Sequence, residues 1–455
     1  MTMSANQAHV RADMDHSGNV SDIRPTLPAI SGRELRDLLD PVSPETFFAE
    51  YWERKPLFIK GGINKLERLF PGGFTTAHFF DAVHEAEADK VRGFRLWAQR
   101  HKDRQVYIRS DQIEAMIAAG SNIATEVPSD RRVATFVAAL KSQLGHPGDI
   151  SYAATLSPAG HGWPAHVDRS INFSIQCEGR KLFSVSEEPV LQWPVGTISF
   201  TDDGAVESFL YNPMPGEETL RIDTSRRLTF EAEPGDIIYW PAGTLHTTQA
   251  LSDLSLTLHF VFNHQTFLNL FSRFLLSAFV RRPEWRHIPS PNPIDSTPGQ
   301  TPAEVKEFIA ARLREASEFL EALSPDSLEF NREWHKLLAD PGEVVLAYLF
   351  PTPTEQRDLA IEPGDVLRLS KRAPLTYTFG TDAAGERSFY LYFADKELSV
   401  SGEWIPFLQT LVRQQRFTAA SATQWSEDGQ PYPWETVQSY LQVLRDQGIL
   451  ECEAK

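Results

Sequence analysis

Cysteine is nearly absent from this chain. Cys177 and Cys452 are its only two among 455 residues, too few for a disulfide framework or a cysteine-rich zinc site. An excess of positive charge is also missing: 44 Lys and Arg face 61 Asp and Glu, a formal net charge of −17. Non-specific nucleic-acid binding needs a basic face, so direct DNA binding is not expected. No apolar run has the length that spans a bilayer. The longest apolar patch, Phe267 to Val280, is broken by Asn269, Ser272, Arg273 and Ser277, and reads as an amphipathic helix. The chain starts without a basic stretch leading into an apolar one, so neither a signal peptide nor a membrane partner is expected. A reducing cytoplasm is the expected location. There is no internal repeat.

What is present is an ordinary globular composition, 41% hydrophobic and 23% charged, with enough length for two or three domains. Residues 1–31 are polar and read as a disordered tail. Ser43-Pro44-Glu45 is a helix start, Ser43 as N-cap, with Phe47, Phe48, Tyr51 and Trp52 following at helical spacing. Lys55-Pro56 ends that helix, Leu57-Phe58-Ile59 reads as a strand, and Thr75 or Thr76 opens a second helix. Phe94–Trp97 and Val106–Ile108 flank a charged turn like the arms of a hairpin, and Asp130–Leu144 is helical by pattern. From Ile150 to Phe262 the pattern changes to short strands separated by Gly, Pro and Asp turns: 150–156, 172–176, 181–185, 228–230, 236–240 and 255–262. Many short strands of this kind predict a sandwich or barrel, and a double-stranded β-helix (jelly roll, cupin) can hold a ligand at its mouth. Val190–Arg227 reads as a long irregular excursion of the kind that forms a substrate lid. Helix returns after Asn263. The Pro-rich linker 289–302 leads into Ala303–Leu323, a helix capped by Thr301 with Pro302 at its first position. In the last hundred residues, strands at 375–379 and 388–393, helices at 404–413 and 434–447 and a closing Gly448-Ile449-Leu450 suggest a winged helix. From Ala360 onward nine Lys and Arg face thirteen Asp and Glu, the reverse of a DNA reader, so a structural or protein-contact role is expected.

The chemistry concentrates in Gly162-Trp163-Pro164-Ala165-His166-Val167-Asp168, answered by Pro234-Gly235-Asp236 and Pro241-Ala242-Gly243-Thr244-Leu245-His246. On a strand, residues two apart face the same side, so His166 and Asp168 point together. A second histidine from a distant strand, His246, completes a 2-His-1-carboxylate facial triad, the ligand set of non-haem Fe(II) oxygenases. A ferrous ion also suits the reducing compartment. His-x-Asp alone is weak: His101-Lys102-Asp103 has the same form and is explained by a charged turn between Arg100 and Arg104. The competing reading of the triad is a surface carboxylate and two packed histidines. A ferrous site that uses 2-oxoglutarate needs a buried cation for the distal carboxylate. Lys181 is favoured for that role and Arg180 is its rival, because neighbours on a strand face opposite ways. A hairpin with Glu178-Gly179 at its tip is expected to carry Asn172 and Lys181 on its two arms.

These residues, His166-Val-Asp168, Asn172, Lys181 and Pro234-Gly-Asp … Pro241-x-Gly-x-x-His246, resemble the JmjC/cupin 2-oxoglutarate oxygenases. Residues 47–59 are similar to an N-terminal motif of the ribosomal oxygenase branch of protein hydroxylases. The resemblance implies a mainly β fold with helical additions: a tail at 1–31, a JmjC barrel over 32–262, a helical dimerisation segment over 263–345 and a winged-helix-like domain over 346–455. It implies Fe(II) on His166, Asp168 and His246, with O2 and 2-oxoglutarate as co-substrates. Lys181 would hold the distal carboxylate, Asn172 would be a polar neighbour, and His259 would lie near the co-substrate, against the equal alternative of a histidine packed beside Phe260. His161 and His264 are read as loop or helix-start residues. The substrate it implies is a protein or peptide, an Arg or His of a ribosomal protein, and a homodimer is the implied assembly. Other readings are a tailoring hydroxylase of a biosynthetic peptide or small molecule, a non-catalytic cupin binding module, and a metal-assisted isomerase, which would want more histidine ligands.

Overall fold

The computed structural model describes residues 33–88, 94–99, 105–126, 130–290, 300–324, 326–342, 360–381 and 385–453. The proposed tail, the His101-Lys102-Asp103 turn and most of the Pro-rich linker lie outside the described residues. Among the described residues no helix is long and apolar enough to cross a membrane, and the buried Cys177 is a free thiol.

The N-terminal helices brace a large sheet. The Ser43 hydroxyl accepts the Thr46 amide at 3.1 Å and caps Pro44–Glu50, a bond of the kind that stabilises a helix by about 1 kcal/mol. That helix stops at Glu50, earlier than the aromatic spacing suggests, because the chain turns through Glu53 at φ 57°. Its aromatic face is used all the same: Phe47 meets Tyr239 at 4.9 Å and Phe173 at 5.8 Å between ring centroids. Thr76–Ala88 and Arg131–Leu144 are helical as read, the latter capped by Asp130, whose carboxylate accepts the Arg132 amide.

The eight-stranded sheet runs in the order Leu57–Ile59, Ile237–Trp240, Ser170–Glu178, Leu254–Asn263, Ile150–Pro158, Asn122–Glu126, Arg95–Gln99, Val106–Tyr107. A six-stranded sheet runs Val206–Phe209, Ile198–Phe200, His166–Val167, His246–Ala250, Lys181–Ser186, Arg227–Ala232. Together they form the expected jelly-roll barrel, and every pairing is antiparallel. Alternation along the strands divides the large sheet. Phe173, Ile175, Ile237, Tyr239, Leu258 and Phe260 join the main apolar core with the N-terminal helices. The opposite face turns Thr155, Asn172, Ser174, Gln176, Thr257 and His259 into the barrel, all but His259 fully buried. A polar interior of that kind is costly unless it is hydrogen-bonded or filled.

Two expectations are corrected here. Glu178-Gly179 is not the tip of a hairpin. Ser170–Glu178 belongs to the large sheet and Lys181–Ser186 to the small one, so the chain crosses between sheets at that corner. Gly179 permits the crossing, with φ 67° and no space for a side chain: an added Cβ would lie 2.2 Å from the Leu254 carbonyl oxygen. The excursion 190–227 is less irregular than it reads, because Ile198–Phe200 and Val206–Phe209 pair with each other and extend the small sheet.

After the barrel, Thr266 caps Phe267–Phe279, and Phe274 packs on Phe319 and Phe330 of the helices Ala303–Glu321 and Leu328–Ala339. Thr301 makes no cap. Pro302 itself occupies that position and the helix begins at Ala303, because proline's fixed φ suits the entry and Thr301 lies one residue too early. Buried Lys141 donates to the carbonyls of Gly148 and Leu337 at 2.6 and 2.9 Å, tying this region to the barrel. The C-terminal part contains the meander Leu375–Thr381, Arg387–Phe393, Lys396–Ser401 and a small sheet of Val366–Leu369, Phe417–Thr418 and Leu450–Cys452. Helices Ile405–Leu411 and Trp434–Asp446 precede that last strand, the element order expected from the sequence.

Candidate metal centre

Strand register, more than sequence spacing, assembles the centre. His166 and His246 lie directly opposite each other in adjacent antiparallel strands, with ring centroids 4.1 Å apart. Asp168 follows the two-residue strand, and its backbone carbonyl accepts the Gly243 amide at 2.8 Å. The approach to His166 is held by Trp163, whose amide donates to Thr248 Oγ1 and whose carbonyl accepts the Thr247 hydroxyl. Gly162 makes that approach possible: an added Cβ would stand 1.9 Å from the Thr248 carbonyl oxygen.

Each donor atom is pre-set. The Nδ1–H groups of His166 and His246 donate to the carbonyls of Pro164 and Thr244 at 2.7 and 3.0 Å. This arrangement fixes the tautomer and turns each Nε2 lone pair toward the centre. Both Nε2 atoms lie 3.6 Å from Asp168 Oδ2, while Oδ1 accepts the Thr197 hydroxyl at 2.6 Å. One donor atom from each of the three residues lies within 4.8 Å of the others. Burial alone would push the Asp168 carboxyl up, but the two imidazoles and Thr197 outweigh it and hold the group well below the usual carboxylate range. Burial depresses His246, with His166 beside it, to about 4, so it is neutral. At His166 burial is outweighed by Asp168, and the ring is raised above its ordinary value. Two imidazole nitrogens, of which His166 gives up any proton when a cation binds, and one ionised oxygen fit a ferrous ion, and the arrangement leaves open positions.

The barrel interior also fits the co-substrate. Lys181 is completely buried, and its one hydrogen bond among the described residues is to Thr155 Oγ1 at 3.4 Å. No carboxylate among the described residues pairs with it, and burial pushes its amine down to about 7. A cation so placed is destabilising unless an anion joins it. His259 lies in the same polar interior, bonded through Nε2 to Thr155 Oγ1 at 3.1 Å and through Nδ1 to Ser174 Oγ at 2.6 Å. Burial, with Lys181 nearby, depresses it to about 3. Trp240 packs against His246 with centroids 4.7 Å apart, and its indole N–H is buried without a partner among the described residues.

Asn172 is buried and donates to the carbonyl and the hydroxyl of Ser170 at 3.2 and 3.3 Å. Arg180, the rival cation, points outward to Glu231 at 3.6 Å. His161 lies against Gly120 and His264 stacks on Trp193 at 4.3 Å, so neither joins the centre. Thr197 is the residue that the sequence reading passed over. Nothing local marks it, but Asp203-Gly204 between two short apolar runs is a hairpin signal that would have placed its neighbourhood in the sheet.

Comparison with known proteins agrees with this geometry. Residues 135–270 match the JmjC domain family. The chain is 23% identical over 222 residues to the bifunctional lysine-specific demethylase and histidyl-hydroxylase NO66 of Branchiostoma floridae, covering 48% of this chain and 30% of that protein. It is 25% identical over 221 residues to human ribosomal oxygenase 1, covering 47% of this chain and 31% of that one. The uncharacterized protein YxbC of Bacillus subtilis is 20% identical over 320 residues, 66% of this chain and 92% of its own. The chain thus spans under a third of the length of the two oxygenases. Among solved structures, the ribosomal oxygenase YcfD of Escherichia coli in complex with cobalt and succinic acid superposes with a TM-score of 0.53 at 16% identity, covering 91% of this chain and 99% of that one. The same protein with cobalt and 2-oxoglutarate gives 0.51 at 18% identity, with the same coverage. The likeness of fold, the matched domain and the ligand cluster agree: residues 135–270 are a JmjC domain on a cupin fold, with a His–Asp–His cluster of metal-binding type in its barrel.

Proposed function

We propose that this protein is an Fe(II)- and 2-oxoglutarate-dependent oxygenase that hydroxylates a side chain of a protein or peptide, with His166, Asp168 and His246 holding Fe(II) and Lys181 holding the distal carboxylate of 2-oxoglutarate. The observation that carries this reading is the pairing, inside one barrel, of a preset His–Asp–His cluster with a fully buried lysine that has no counter-ion among the described residues. When bound, ferrous iron and 2-oxoglutarate supply the oxidation of a C–H bond by O2, with succinate and CO2 as co-products. The chain's own part is to position and to protect. Pro164, Thr244 and Thr197 fix the three donors. Lys181, held near neutrality by burial, keeps its proton at Nζ once a carboxylate arrives, forming a charge-assisted bond of about 1.5–3 kcal/mol. Asn172 and His259 line the same interior as polar neighbours of the co-substrate. Buried strands on both sides exclude water, which protects a reactive site from side reactions.

The names of the relatives favour a histidine side chain and a ribosomal target; an arginine of a ribosomal protein is the other target we propose. A cavity of about 420 Å³ lined by Glu53, Arg54, Glu188, Trp193 and Pro241 opens beside Ala242, one residue before the Gly243 whose amide donates to the Asp168 carbonyl. A scaffold without catalysis would not need an unpaired buried ammonium, which weighs against the binding-module reading. We propose the barrel over 32–262, a helical segment over 263–345 that joins two copies of the chain, and a winged-helix-like contact domain over 346–455, in a cytoplasmic protein. Phe267, Leu268, Leu276 and Leu313 expose large apolar surface on that helical segment, which supports the pairing of copies. The test is mass spectrometry of proteins from cells with and without the gene. A peptide heavier by one oxygen only where the gene is intact is expected, and an unchanged proteome together with no succinate formation from 2-oxoglutarate in air would refute the reading.

A further inference from the structure

We infer that Thr197 is a positioning residue that keeps Asp168 to a single metal-facing oxygen. The inference rests on the ligand roles proposed above. Asp168 offers two oxygens, and the structure treats them differently. Oδ2 lies 3.6 Å from Nε2 of both histidines, whereas Oδ1 accepts the Thr197 hydroxyl at 2.6 Å. That bond sets the rotation of the carboxylate and occupies the oxygen that could otherwise swing onto the metal. A second carboxylate oxygen on the ion would take one of the positions that a facial triad leaves free for chemistry.

Thr197 is itself held by a sheet, not by a loose loop. It directly precedes the Ile198–Phe200 strand, whose Ile198 pairs with Val167 and whose Ser199 pairs with His166. Its carbonyl accepts the Leu210 amide at 3.0 Å, and Ile198 and Phe200 are buried in a small cluster with Val167 and Leu245. The excursion beside the site is thereby joined to a metal ligand through one hydroxyl. Valine in place of Thr197 keeps the shape and removes the donor, while serine keeps the donor.

The experiment is an anaerobic titration of the full-length protein with Co(II), read by calorimetry and by the visible absorption of the bound ion. Loss of an outer partner of a metal ligand weakens affinity by about 10–100-fold. Thr197→Val is expected to bind Co(II) weaker within that range and to shift the absorption band, and Thr197→Ser to match the wild type in both. If the valine variant loses its thermal transition without metal, Thr197→Ala supplies the same comparison with less crowding. Unchanged affinity and band in the variants that lack the hydroxyl would overturn the inference, as would equal weakening in the serine variant. If the wild type and His166→Ala bind Co(II) alike, the fault lies with the ligand assignment and not with Thr197 alone.

Discussion

Replacing Lys181 by methionine separates two effects that one buried amine exerts in opposite directions. The side chain is wholly buried and burial lowers it to about 7, against a weak opposing contribution from Cys177. Holding an ammonium that far below its ordinary range penalises the charged form by roughly 5 kcal/mol. Because the folded pKa lies below the unfolded one, the folded protein binds fewer protons between about 7 and the ordinary lysine value. Stability without co-substrate therefore rises with pH across that window and is lowest beneath it. Methionine fills similar space without the charge, so Lys181→Met should stabilise the unliganded protein near neutrality by roughly 1–4 kcal/mol and make the slope shallower, leaving the share of Lys65 and Lys141, which burial lowers to about 8. On the role proposed for Lys181, the same change would leave the distal carboxylate of 2-oxoglutarate buried and unpaired. Breaking a buried pair in this way costs about 3–5 kcal/mol, so Kd should rise at least about a hundredfold. Urea unfolding at about pH 6.5 and about pH 9 measures the first effect. Anaerobic calorimetry with 2-oxoglutarate measures the second. A variant that keeps the wild-type pH slope, or that binds the co-substrate unchanged, would refute the reasoning.

Metal affinity should fall in acid because His166, raised by its carboxylate neighbour, takes up a proton before His246 does; Co(II) titrations at neutral and mildly acidic pH check this, and a flat profile contradicts it. Gly162→Ala drives a methyl group against the Thr248 carbonyl, and should cost about 1–3 kcal/mol in unfolding experiments and weaken Co(II) binding by displacing Trp163 and His166. The double change Leu268→Glu, Leu276→Glu should convert a dimer into monomers in sedimentation without loss of Co(II) binding; a wild type that already sediments as a monomer would remove the proposed pairing.

The barrel was legible because its turns are written in Gly, Pro and Asp and its strands alternate. Alternation also separated Lys181 from Arg180: one ends wholly inside, the other on Glu231 at the surface. The corner at Glu178-Gly179 misled for a physical reason. Two strands joined by two residues look alike whether they pair with each other or part into different sheets, and only long-range partners decide. Thr197 was invisible for a related cause: its partner stands 29 positions away and meets it only through a sheet extension. The helix cap at Thr301 failed by a single residue, since proline served as the boundary itself.

The most direct measurement adds Fe(II) and 2-oxoglutarate to the protein under strict exclusion of air and records the visible spectrum. A charge-transfer band should form with the wild type and with Arg180→Ala, and be missing with His166→Ala. A band that survives His166→Ala, or that never forms in the wild type, would contradict the ferrous site described above.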